Sequence, residues 1–153
     1  MALWLFKQEP DCYSFSDLER DGMTLWDGVT NALALKYLRQ TQPGDQAFFY
    51  HTGEEKAVVG IMEITGPPQP DPLQNDPKLV VVPVVPKSRL KFPVRLAKIK
   101  ADPLFADWEL VRIARLSVMP VSESRWQRIL EWSEKHESSG DSSITRKQPP
   151  RKK

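Results

Sequence analysis

Leu25-Trp26-Asp27-Gly28-Val29-Thr30-Asn31 sets a bulky aromatic and a tight Asp-Gly turn directly ahead of a helical pattern. Gly tolerates φ > 0 and Asp bonds its own backbone, so the chain bends sharply here. The helix that follows starts with free N–H groups, which favour acceptors or anions. Beside it, Trp26 is either a flat surface for a planar ring or cation, or an anchor in the core. The first reading points to a small planar ligand such as a base.

Working outward, Val29, Ala32, Leu33, Leu35, Tyr37 and Leu38 predict a helix over 29–40 with one buried face, ended by Pro43-Gly44-Asp45. Upstream, Ser16 with Glu19 reads as a capping box and Gly22 as a stop, which predicts a short helix. Residues 2–6 (Ala-Leu-Trp-Leu-Phe) read as a strand buried on both faces, ended by Pro10. Alternation puts Lys7 and Glu9 on one side of its carboxyl end. A donor beside an acceptor suits the edge of a base or a backbone contact; a mutual surface ion pair is the alternative.

Downstream, 46–51 reads as a strand carrying Tyr50 and His51 to its far end, and 56–65 as another, with Gly60 a bulge or a point of close approach. The Pro- and Asp-rich stretch 66–77 predicts an extended, exposed loop. Residues 78–85 form a β-branched strand with Pro83 at an edge or bulge. Residues 95–100 fit a short helix or a strand equally. The alternation within 110–119 predicts a strand, and 123–135 a helix with Trp126, Ile129 and Leu130 inward and Trp132 a further candidate for that face. Five or six short strands with a few short helices amount to an α+β fold, a curved mixed sheet or partial barrel.

The 153 residues suit one domain with one sizeable core. Residues 1–137 form that domain, and 138–153, nearly free of apolar residues, read as a disordered basic tail. The tail holds five cations against Asp141, a net +4, which leaves residues 1–137 at −2 in a chain of net +2. A slightly acidic body does not suit a general nucleic-acid coat. One basic strip, Lys87, Arg89, Lys91, Arg95, Lys98 and Lys100, has no acid within it and fits either phosphate contact or a solvated face. The apolar runs are too short for a membrane span, and the N-terminus lacks signal-peptide character. With one cysteine, the chain reads as belonging to a reducing compartment, cytoplasmic or, in a eukaryote, nuclear, and a monomer is expected.

Phosphate-loop, dinucleotide, serine-hydrolase and paired-cysteine metal signatures are missing, so no cofactor, metal or catalytic residue is assigned. Cys12 lies near Glu9 and Asp11, which disfavour a thiolate. His51 is the one candidate general base, with a structural role as the alternative.

Trp4-Leu5-Phe6-Lys7-x-Glu9-Pro10, Trp26-Asp27-Gly28-Val29-x-Asn31, Gly44-Asp45, Phe49-Tyr50-His51 and Arg115-Leu116-Ser117-Val118-x-Pro120 together resemble the EVE domain family of the PUA-like superfamily. The resemblance spans residues 2 to about 136. It implies a PUA-like pseudobarrel whose pocket accepts a nucleobase, a modified one flipped out of DNA or RNA. On this chain it implies that Lys7 and Glu9 form one wall and that Trp26 stacks. Asp27, Gly28, Val29 and Asn31 would shape the turn, Tyr50 and His51 close another side, and Arg115 and Ser117 stand at the rim. Thr30, Ala32, Leu33 and Leu35 replace the Arg, Tyr, Gln and Arg usual in the family, removing two cations from the helix start.

The leading expectation is therefore a non-catalytic reader of a modified base. The alternatives are a structured-RNA binder driven by the basic strip and tail, a small nucleobase-acting enzyme using Glu9 or His51, and a pocket for a free small molecule.

Overall fold

A computed structural model describes residues 1–135 of the chain. The basic tail expected over 138–153, and its boundary, lie outside the described residues. The strands are β1 (Leu3–Gln8), β2 (Thr24–Trp26), β3 (Gln46–His51), β4 (Ala57–Ile64), β5 (Gln69–Pro70), β6 (Val80–Arg95) and β7 (Val118–Pro120). The helices are α1 (Phe15–Asp21), α2 (Ala32–Arg39), α3 (Leu96–Lys100), α4 (Glu109–Arg112) and α5 (Glu123–Ser133).

The sheet runs β2-β6-β4-β3-β1-β7, with β5 added to β6. β1 and β3 are parallel, from Leu3 opposite Gln46 to Gln8 opposite His51, and the other pairs are antiparallel. The mixed sheet curls into a half-barrel, the α+β architecture expected. Trp26 of β2 reaches Phe6 of β1 at 5.3 Å between ring centres, although three strands separate β2 from β1 in the sheet. Curling therefore brings the two ends of the strand order together.

β1 is covered on both faces, as its unbroken apolar run requires. On one face Phe48 of β3 stacks on Trp126 of α5 at 3.8 Å. On the other, Phe6 and Phe49 enclose Trp26, and Phe15 of α1 meets Phe49 edge-on at 5.4 Å. Each such ring contributes about 1.5–3 kcal/mol by leaving water.

Several local expectations are corrected. The capping box of α1 is Ser14 with Asp17, not Ser16 with Glu19, because Ser14 holds the extended backbone that a cap needs. Ser16 and Glu19 instead bind Arg89. Gly22 ends α1 with φ 78°. α2 begins at Ala32 rather than Val29, capped by Asn31, whose Oδ1 accepts the Ala34 N–H at 3.0 Å. β6 is one strand of 16 residues, carrying Pro83, Pro86 and Pro93 through register shifts against β4, and the ambiguous 95–100 is mostly α3. The strand expected over 110–119 is α4, then a turn in which Leu116 N–H donates to Ile113 O at 3.1 Å, then the short β7. Its alternation reflects burial of Leu110 and Leu116 at separate points of the core, and only its last residues, Val118 and Met119, join a ladder, opposite Phe6 and Leu5. Among the described residues there are seven strands, against five or six expected, because β2, β5 and β7 are too short to show a period.

Candidate functional site

A cavity of about 610 Å³ opens where the ends of the sheet converge. Its first wall is the carboxyl end of β1 and the following loop: Lys7, Gln8, Glu9, Cys12 and Tyr13. Its second is β2 and the turn beyond it, from Thr24 to Val29, and its third is the segment 114–117 that leads into β7. Thr52, at the end of β3, completes it, with its N–H on Gln8 O at 3.0 Å.

The four charged residues among the lining are Lys7, Glu9, Asp27 and Arg115, two of each sign. Lys7 is half-buried, and burial holds its ammonium below the ordinary lysine range. Lys7 Nζ donates to Ala114 O at 2.8 Å, and its backbone N–H donates to Ser117 O at 2.9 Å. Glu9 and Asp27 are exposed, and neither carboxylate has a hydrogen-bond or ion-pair partner among the described residues. The surface ion pair between Lys7 and Glu9 does not form. Gly28 supplies the positive φ, 79°, that the turn needs.

Trp26 borders the cavity but is only 2% exposed. Its indole packs on Phe6 and meets Phe49 edge-on at 5.2 Å. The open stacking face expected of it is therefore absent, because the curled sheet closes its aromatic interior over the ring. Val29 is likewise buried at the turn while lining the cavity.

Three residues expected at the pocket do not line the cavity. The Asn31 side chain is used as the α2 cap. Tyr50 is buried, with the Lys7 ammonium 5.7 Å from its ring centre. His51 is buried with both ring nitrogens engaged: Nε2 accepts the Phe15 N–H at 3.1 Å, and Nδ1 lies 2.7 Å from Glu55 Oε1. The first bond makes Nε2 an acceptor, so Nδ1 carries the proton and donates. That hydrogen bond in turn holds the Glu55 carboxyl below its ordinary value. Engaged in this way, His51 is a structural residue rather than a base for the cavity.

The basic strip does not form one free track either. Lys87 pairs with Glu63 at 3.6 Å and Arg89 with Glu19 at 2.6 Å. Lys91 lies over Phe92, Arg95 donates to Glu55 O, and Lys98 lies over Trp132. Lys100 is exposed at the end of α3, and none of the six lines the cavity.

Sequence reasoning missed Gln8, Cys12, Tyr13, Thr24, Leu25, Thr52 and Ala114. Gln8, Leu25, Thr52 and Ala114 each adjoin a residue singled out from the sequence, so a window of one neighbour on either side finds them, whereas Thr24 lies two positions from Trp26. Tyr13, whose hydroxyl donates to Asp21 Oδ2 at 2.9 Å, carried no such signal.

The EVE domain matches residues 2–132 of this chain. Human thymocyte nuclear protein 1 is 29% identical over 170 aligned residues, spanning 88% of this chain and 75% of that protein. A Rhodopseudomonas palustris protein solved by NMR superposes with a TM-score of 0.82 at 36% identity, covering 92% of this chain and 99% of its own. Human THYN1 protein in complex with 5-methylcytosine containing DNA superposes with a TM-score of 0.82 at 28% identity, covering 90% and 100%. An ASCH protein of Zymomonas mobilis, at a TM-score of 0.54 and 9% identity, shares the PUA-like fold alone. No helix among the described residues is long and apolar enough to cross a membrane. The residues matched, the motifs within them and the half-barrel agree: the chain belongs to the EVE domain family.

Proposed function

We propose that this protein is a non-catalytic reader of a modified nucleobase, taken out of its strand into the cavity between β1, the Trp26–Val29 turn and the segment 114–117. The observation that carries the reading is the cavity's composition. Its charge is balanced and its wall holds both donors and acceptors, which suits a neutral, hydrogen-bonding heterocycle better than a bare anion. Glu9 and Asp27, whose carboxylates have no partner among the described residues, are in this reading the acceptors for a base edge. The Trp26 indole serves as rigid floor rather than as an open plate. The human relative's complex with 5-methylcytosine containing DNA supports the same class of partner here. The non-catalytic reading is supported by the engagement of His51 away from the cavity, which among the described residues leaves no histidine to activate Cys12 or Ser117.

The test is titration, at one fixed salt concentration, of matched oligonucleotides that are unmodified or carry 5-methylcytosine, 5-hydroxymethylcytosine or N6-methyladenine. One modified base should bind at least about tenfold more tightly than its parent, and Glu9→Gln or Asp27→Asn should weaken binding of that base by roughly 1–3 kcal/mol. Equal binding of all four overturns the reading. Trp26→Ala is the wrong probe, because removing a buried indole costs about 3–5 kcal/mol of stability whatever its role in binding.

A further inference from the structure

Two cations line the cavity, and they are differently employed. The Lys7 ammonium donates to Ala114 O at 2.8 Å, and the Lys7 N–H donates to Ser117 O at 2.9 Å. Together these bonds tie both ends of the segment 114–117 to the end of β1. Between them stands Arg115, exposed, with its guanidinium unpartnered among the described residues. Leu116, 1% exposed, pins the same segment to the core from the opposite side. The outcome is a free guanidinium held at the rim of a cavity whose other cation is committed to a backbone carbonyl.

We propose that Arg115 is the phosphate anchor of this site, and that Lys7 is the positioning residue that presents it. This rests on the base-reading function above and sharpens its ligand: a nucleotide within a phosphodiester strand, rather than a free base or nucleoside. A guanidinium offers a planar fork of donors that matches phosphate oxygens. The family positions at the start of α2 cannot supply such a contact here, since Thr30 and Leu35 stand there. Lys87 and Arg89 are already neutralised by Glu63 and Glu19. Among the described residues, Arg115 is left as the cation that is both free and beside the cavity.

The experiment measures duplex DNA with and without the preferred modified base at four salt concentrations, for the wild type, Arg115→Gln, Arg115→Lys and Lys7→Met. A phosphate contact weakens all sequences alike and contributes to the salt slope. Arg115→Gln should therefore lower affinity for modified and unmodified duplex by the same factor and flatten the slope of log K against log salt by about 0.9. Arg115→Lys should restore most of the slope. Lys7→Met should speed hydrogen exchange across 113–117 in the unliganded protein and flatten the slope as Arg115→Gln does. A collapse of base discrimination with the slope unchanged in Arg115→Gln overturns the proposal, because Arg115 would then read the base. Unchanged exchange and an unchanged slope in Lys7→Met overturn the positioning role. Failure of the wild type to bind any duplex overturns the base-reading function and this inference with it. An unchanged Arg115→Gln slope in a protein that still discriminates overturns this inference alone.

Discussion

The Tyr50 hydroxyl sits on β3 beside Lys7 with no hydrogen-bond partner among the described residues, and the side chain is 3% exposed. Burial pushes its ionisation up to about 12 from an ordinary 10. The folded state thus resists the phenolate while the unfolded chain accepts it. The stability this group contributes is intact below pH 10 and is lost as pH rises from 10 towards 12, to a total of about 3 kcal/mol. Tyr50→Phe removes that limb. Since the hydroxyl is unpartnered, the variant should be within about 1 kcal/mol of wild type at pH 8. Urea denaturation at a series of pH values from 8 to 12 should show the wild type falling below the variant above pH 10; parallel curves would refute this. At this scale the sequence was a good guide to place and a weaker guide to role. Trp26 was legible as a bulky aromatic at a turn, but whether an indole faces a cavity or a core depends on what closes over it. Here Phe6 and Phe49 do so, from 20 residues before and 23 after.

At the scale of elements, α1 is seated on the sheet from three directions. Arg89 of β6 holds Ser16 and Glu19 and lies 5.3 Å over the Phe15 ring. His51 of β3 accepts the Phe15 N–H. On β4, Gly60 leaves the space that Phe15 fills: a Cβ there would stand 2.5 Å from two of its ring carbons. The register shifts against both neighbouring strands leave Val59 without a partner, so the bulge is at Val59 and Gly60, still paired with Phe49 and Arg89, is the close approach beside it. Gly60→Ala must displace the ring and with it α1, costing about 1–3 kcal/mol, measurable by chemical denaturation. A change below about 0.5 kcal/mol would mean that α1 shifts freely over the sheet. Elements with a long period or a strong cap were legible: β1, β3, β4 and α5 formed where expected. β2 was not, because a strand of three residues takes its identity from pairing with Val82, Pro83 and Val84 rather than from its own pattern. The length of β6 was hidden by its prolines, which act as stops in a regular ladder but are accommodated where the register shifts.

For the whole molecule, the cavity exists because a curled sheet joins residues near position 7, near 26 and near 115. Spacing along the chain carries no trace of that convergence. Lys7, Glu9 and Trp26 were legible singly, but their meeting with Arg115 and Ser117 became so only through agreement of separate motifs with a known family, and Asn31, Tyr50 and His51 show the cost: a motif fixes a neighbourhood, whereas the cap, the core and the hydrogen-bond network decide which side chains are left for a ligand. The same separation applies to charge. Residues 138–153 carry a net +4, and without them the chain passes from +2 to −2. The cavity, by contrast, is balanced within itself. Affinity and discrimination should therefore come apart when the chain is cut after residue 137. Loss of the tail's cations should weaken binding to every duplex by a similar factor, roughly tenfold at low salt, and flatten the salt slope. The ratio between modified and unmodified duplex should hold, because the walls that would set it all lie within residues 7–117. Fluorescence anisotropy on both duplexes at two salt concentrations separates the terms. If discrimination fell together with affinity, the tail would belong to the reading site, and the view that the half-barrel alone selects the base would have to be abandoned.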